Sequence, residues 1–129
     1  MNKELISKMI EHSKEASGNS YCPNSNTPEG ASLLVDGNVI VGGCSVEYAF
    51  ETISAGEVAL AKAFSEGLTG FKAICLWSKK ILPYPNARFL QMAAEFNPDL
   101  DIIVANNDTY SIHKLHQMLP FRRIYSEEN

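Results

Sequence analysis

The sequence predicts one α/β domain built on a mixed sheet with helices on its faces. Three observations predict it. Segments with apolar residues at helical spacing alternate with short runs of strand length. Asp36-Gly37-Asn38, between Ala31–Val35 and Val39–Val41, is a strong hairpin signal. Phe71 to Trp77 is an unbroken apolar run, as expected of a strand covered on both faces.

In chain order, Leu5, Ile6, Met9 and Ile10 recur at helical spacing between Lys3 and Ala16, and Ser17-Gly18-Asn19-Ser20 ends the pattern. A loop rich in Asn, Ser and Pro runs from Cys22 to Pro28. Strands one and two then pair as antiparallel neighbours through the Asp36-Gly37-Asn38 turn. Val58, Leu60, Ala61 and Phe64 predict a second helix over Ala55–Phe64, closed by Gly67. The Phe71–Trp77 strand follows. After the loop Pro83-Tyr84-Pro85, Asn86 is a suitable N-cap for a third helix carrying Phe89, Leu90, Met92, Ala93 and Phe96, which ends before Pro98. Leu100–Ala105 reads as strand four. Beyond the turn at Asn106-Asn107-Asp108 come a short strand near Tyr110–Ile112, a helical turn over His113–Met118, and Leu119-Pro120-Phe121.

The chain of 129 residues is expected to be a single domain over 1–129, long enough to bury a core without disulfide or metal staples. A net charge of −4 and only two adjacent basic pairs, Lys79-Lys80 and Arg122-Arg123, argue against nucleic acid as a partner. Cys22, Cys44 and Cys75 are odd in number and widely spaced, which fits a reducing compartment better than a disulfide framework. Met1 to Ser13 mixes Lys3, Glu4, Lys8 and Glu11 into its apolar positions. The expectation is therefore no secretion signal, no membrane span and a cytoplasmic protein.

Local patterns that carry chemistry are few. Ser54 with Glu57 three residues on is a capping box at the start of the second helix. His113 and His116 have a spacing that can ligate metal, but no third ligand lies nearby in sequence, so a solvated pair is the favoured reading. Cys75, inside an apolar strand, reads as a small buried side chain. Cys22 sits in a loop with nothing basic beside it to make a reactive thiolate.

Tyr21, Pro23, Ser25, Pro28, Gly30 and Ala31, then Gly43-Cys44-Ser45-Val46-Glu47-Tyr48, then Thr52, Ala55, Ala59, Lys62, Ala63, Ser65, Glu66 and Gly67 fall in fixed register with three motifs. The chain thereby resembles the cytidine deaminase family over nearly its whole length. The family reads roughly AYxPYSxFxVGAAL, GCNVEN and TxCAERxAxxKAxSEG in these places. The resemblance implies a three-layer α-β-α sandwich with a mixed five-stranded sheet. It also implies assembly as a homotetramer and, at Cys44, a small buried side chain that ligates no metal.

The same register names the departures. The family's zinc thiolates fall on Ser54 and, in the PCxxCRQ motif anchored by Pro85 and Gln91, on Asn86 and Phe89; its catalytic Glu falls on Gly56, and its Arg on Glu57. Phe89 is expected to fill the vacated volume with hydrocarbon. Without zinc nothing lowers the pKa of a water from about 15.7 toward 7, and without the Glu nothing shuttles its proton. The expectation is no catalytic residues, no metal site and no zinc cofactor. In the family, positions matching Thr27, Ser45, Glu47 and Ala55 belong to the nucleoside site, and here Ser45 replaces an Asn and Thr27 an aromatic. Glu47 either holds a sugar hydroxyl or ties down the loop after strand two.

Two functions stay open at this point. One is a zinc-free pseudoenzyme, acting as a binder of a nucleoside-like small molecule or as an interaction subunit, with further copies of itself or an active paralogue as partner. The other is hydrolytic deamination of cytidine or a related aminated nucleoside through a non-standard metal site drawn from Cys22, Cys44, His113 or a neighbouring subunit.

Overall fold

The computed structural model describes residues 1–121; Arg122-Arg123, the second basic pair, lies outside them. Among the described residues the elements are α1 (Lys3–Ser17), β1 (Glu29–Val35), a 3-10 turn (Asp36–Asn38), β2 (Val39–Cys44), β3 (Val46–Tyr48), β4 (Glu51–Ile53), α2 (Ala55–Ser65), β5 (Ala73–Ser78), α3 (Ala87–Phe96), β6 (Asp101–Ala105), β7 (Tyr110–Lys114) and α4 (Leu115–Met118).

Five strands form one mixed sheet in the order β2-β1-β5-β6-β7. Its pairs are antiparallel except β5 with β6, which are parallel and joined by a crossover through α3, as parallel neighbours require. The side-chain period of two divides the strand residues between two cores. Leu34, Ala73, Cys75, Trp77, Ile103 and Ala105 face α1 and pack on Ile6 and Met9. Ala31, Leu33, Val35, Ile74, Leu76, Ile102 and Val104 face α2 and α3 and pack on Ala59, Leu60, Phe89 and Ala93. The result is the three-layer α-β-α sandwich that the resemblance implies. β5 is buried at every position, which is why its sequence runs apolar without alternating.

The caps behave as local chemistry dictates. Asn2 Oδ1 accepts from the Leu5 backbone N–H at 2.8 Å at the start of α1. Asn86 Oδ1 accepts from the Phe89 N–H at 2.8 Å at the start of α3. Gly37 (φ 75°) and Asn38 (φ 58°) take the left-handed conformations that let β1 fold back on β2.

Two expectations are corrected. β3 and β4 pair as a separate hairpin, with Val46 opposite Ile53 and Tyr48 opposite Glu51, where no strands were expected. Strands of three residues are too short for their alternation to register. The helical turn expected from His113 starts two residues later, at Leu115; His113 belongs to β7, whose burial alternates along an edge strand. Among the described residues no helix is long and apolar enough to cross a membrane.

Candidate functional site

The starts of α2 and α3 meet over the start of β1 and the end of β5, and a cleft of about 150 Å³ opens there. It is lined by Glu29, Ser54, Ala55, Gly56, Leu76, Pro83, Tyr84, Pro85, Asn86 and Phe89, together with Gly30 and Thr52. Thus four positions singled out from sequence, Ser54, Gly56, Asn86 and Phe89, do come together, with Ala55 beside them. A larger concavity of about 630 Å³ lies at the other end of α2, among Phe64, Phe71 and Phe96, and no titratable side chain lines it.

Ser54 is the N-cap of α2. Its Oγ accepts from the Glu57 backbone N–H at 3.3 Å and donates to Glu57 Oε1 at 3.0 Å. The capping pair expected from S-x-x-E is present, with the hydroxyl rather than the Ser54 backbone N–H donating to the Glu carboxylate. Glu57 is held from the other side by Arg88, whose Nε lies 3.2 Å from both carboxylate oxygens, while Nη2 donates to the Thr52 carbonyl at 2.5 Å. The Glu57 side chain is only 12% exposed, and it sits in the first turn of α2, where the helix dipole favours an anion. An ion pair therefore joins α2 to α3.

Beneath it the apolar contact is tighter. Phe89 is 1% exposed, and a Cβ added to Gly56 would stand 2.5 Å from Phe89 Cε1, 2.7 Å from its Cδ1 and 3.0 Å from Leu76 Cδ2. The Phe89 ring thus occupies the space into which a side chain at position 56 would project. A zinc ion needs three or four soft or borderline donors around one point. Here one of the three family positions offers a hydrocarbon ring, a second an amide oxygen already accepting a backbone hydrogen bond, and the third a hydroxyl engaged with Glu57. These residues do not fit zinc.

The other candidate ligands are scattered. Among the described residues no three His, Cys, Asp or Glu side chains gather as a metal site. The His113 ring shares a 2.8 Å hydrogen bond with Ser111 Oγ and meets Tyr84 edge-on, centroids 6.0 Å apart. His116 lies on α4. Cys75 is buried, and burial pushes its thiol up to about 11; Cys22 and Cys44 are half-buried, so Cys44 is less enclosed than the resemblance implies.

The residues matching the family's nucleoside site are placed as follows. Glu47 is buried on β3, and its Oε1 accepts from the backbone N–H groups of Asn24 (2.8 Å) and Ser25 (3.1 Å). Hydrogen bonding from the Ser25 side chain, with help from these backbone donors, holds the Glu47 carboxyl below the usual carboxylate range against the opposing effect of burial. The loop between α1 and β1 is therefore tied to β3 through this carboxylate. Ser45 is buried and knits three segments together: its Oγ shares a 2.7 Å hydrogen bond with Ser20 Oγ and accepts from the Glu29 N–H at 3.2 Å. Thr27 is exposed and lines a separate depression with Lys79, Lys80 and Ile81.

Sequence reasoning missed Arg88 and Glu29. For Arg88 a signal existed: position 57 carries Glu where the family has Arg, and a cation stands inside the second motif. Glu29 is half-buried in the cleft wall at the start of β1, and its carboxyl is pushed up by burial first and by the nearby Glu47 charge second.

Layers and sheet order are those of a deaminase-type α-β-α domain. The cytidine deaminase of Sporosarcina psychrophila is 32% identical over 105 residues, spanning 78% of this chain and 77% of that protein. A probable cytidine deaminase of Dictyostelium discoideum is 31% identical over an alignment of 134 positions that spans all of this chain and 89% of its own length. Among solved structures, the cytidine deaminase of Burkholderia pseudomallei superposes with a TM-score of 0.86 at 25% identity, over 95% of this chain and all of that one. No family model matches. The chain belongs to the cytidine deaminase family.

Proposed function

We propose that this chain is a zinc-free member of the family which does not deaminate by the zinc route and uses the cleft between α2 and α3 to bind a small nucleoside-type ligand. The observation that carries this reading is the Gly56–Phe89 contact. A catalytic carboxylate at position 56 and a ligand at position 89 are absent, and the ring of one residue fills the place of the other's missing side chain. A site that had merely lost its ligands would be expected to leave a void, because protein interiors relax only partly around deleted atoms. Here ring, ion pair and caps complete one another.

Hydrolytic deamination is the competing reading, and the names of the relatives favour it. One pair of measurements separates the two. Purified protein incubated with zinc and then dialysed is assayed for metal per chain, and the cytidine absorbance band is followed over time. The binding reading predicts no retained zinc, an unchanged band and a rise in melting temperature with a nucleoside or its base, since a ligand at a hundred times its Kd adds about 2.7 kcal/mol. Stoichiometric zinc with loss of the band would establish the enzyme. Homo-oligomer assembly belongs to the same proposal, and it is supported by Tyr48, Phe50 and Ile53, which stand exposed on the β3–β4 hairpin. Light scattering on purified protein tests it.

A further inference from the structure

We infer that Glu29 reads the ring of the bound ligand: the cleft takes one six-membered heterocycle that turns two adjacent N–H donors, a ring N–H beside an exocyclic amine, toward this carboxylate. The inference rests on the binding reading above and adds the chemistry of what is bound.

Strand alternation aims the residue. Ala31, Leu33 and Val35 face the core under α2 and α3, so Glu29, two residues before Ala31 on the same face of β1, projects toward the cleft it lines. Its backbone is fully engaged, donating to Ser45 Oγ at 3.2 Å and accepting from the Ser45 N–H at 3.0 Å. Its carboxyl, by contrast, has no hydrogen-bond or ion-pair partner among the described residues. Half-burial without a protein partner disfavours the ionised form, the Glu47 charge adds to the effect, and the carboxyl is left free to take donors from a ligand in the cleft it lines.

The chemistry of that ligand follows from what surrounds the group. An ionised carboxyl accepts and does not donate, and its two oxygens match two parallel N–H donors. The other polar side chains at the helix starts are engaged already, Ser54 with Glu57 and Asn86 with the Phe89 N–H. Leu76, Pro83, Tyr84, Pro85 and Phe89 supply apolar walls suited to a flat ring. The volume, about 150 Å³, is that of a cavity which holds one benzene-sized ring. A cytosine edge sets one N–H beside a bare ring nitrogen, and a uracil edge flanks one N–H with carbonyls. Neither ring has an edge with two adjacent N–H donors: these edges bring a lone pair against the carboxylate, and the N1–H and C6–H edge offers one N–H alone.

The test is a titration at neutral pH of the full chain with isocytosine, which carries the donor pair, and with cytosine and uracil as isosteric controls, read by ligand-observed NMR. Wild type is expected to bind isocytosine about tenfold or more tightly than either control, since one charge-assisted hydrogen bond is at stake. Glu29→Gln presents one donor and one acceptor and is expected to reverse the order, favouring cytosine. Its melting temperature without ligand shows that it is folded, and Glu29→Ala, expected to lose the preference altogether, serves as a second variant. Binding of cytosine or uracil in preference to isocytosine by wild type would overturn the role of Glu29 while leaving the binding reading in place. An unchanged preference in both variants would do the same. Failure of all three rings to bind would overturn both.

Discussion

Gly56 and Phe89 interlock: a Cβ on Gly56 would lie 2.5 Å from Cε1 of the buried Phe89 ring. Alanine in place of a helical glycine ordinarily gains about 0.5–1 kcal/mol, whereas overpacking a tight core costs about 1–3 kcal/mol. The sign therefore tests the contact. Gly56→Ala is expected to destabilise the wild type by about 1–2 kcal/mol in urea unfolding. In a Phe89→Leu background the same change is expected to be neutral or stabilising. Additive effects would show that the two residues do not compete for space.

The Glu57–Arg88 pair bridges the starts of α2 and α3. Arg88 is more than half exposed, so solvent screens much of the attraction, and Arg88→Ala is expected to cost about 0.5–1 kcal/mol, shrinking at high salt. A double-mutant cycle with Glu57→Gln measures the coupling.

Two carboxyls shift in opposite directions, and stability follows each with its own sign. Glu47 lies below its ordinary 4.5, so it contributes stability that is present above that value and lost as pH falls through its folded pKa. Glu29 lies above 4.5, so ionising it costs stability, which is fully present below 4.5 and lost as pH rises through its folded pKa. Glu29→Gln is accordingly expected to raise the melting temperature at pH 7, with the advantage fading toward pH 4. Glu47→Gln is expected to lower it at pH 7. Melting curves across this window check both.

Thiol chemistry reports on burial. Cys75 is enclosed in β5 with its thiol pushed up to about 11, whereas Cys22 and Cys44 are half-buried. Alkylation of the native protein at mildly alkaline pH is expected to label Cys22 and Cys44 first, and Cys75 only on unfolding. Mass spectrometry of the digested protein reads the order.

The two layers of helices, the fully buried strand β5 and the caps at Ser54 and Asn86 were legible in the sequence because each has a strong local cause: helical period, an unbroken apolar run, a side chain suited to an N-cap. The β3–β4 hairpin was not, since three residues per strand leave no pattern to read. The cleft's composition was legible only through motif register, which placed Ser54, Gly56, Asn86 and Phe89 together. What the register could not show is that Arg88 reaches across to Glu57, or that Glu29 turns into the same cleft. Both depend on how two helices and a strand end converge in space. Glu47 takes up a loop-fastening contact that its sequence context allows, but on the loop between α1 and β1 rather than the one after strand two, and the Ser45 contacts to Ser20 and Glu29 have no local signal.

Restoring the family pattern bears on the register itself. Ser54→Cys, Gly56→Glu, Asn86→Cys and Phe89→Cys made together remove the ring that blocks position 56 and supply three thiolates. The folded quadruple variant is expected to take up one zinc per chain. Gly56→Glu alone, with Phe89 in place, is expected to unfold the start of α2 without binding metal.

The most direct measurement is the zinc content of the wild-type chain after saturation with zinc and exhaustive dialysis, taken beside the cytidine absorbance of the same sample. The zinc-free account predicts well under one metal per chain and a constant band. One tightly held zinc per chain, with the band decaying, would contradict it.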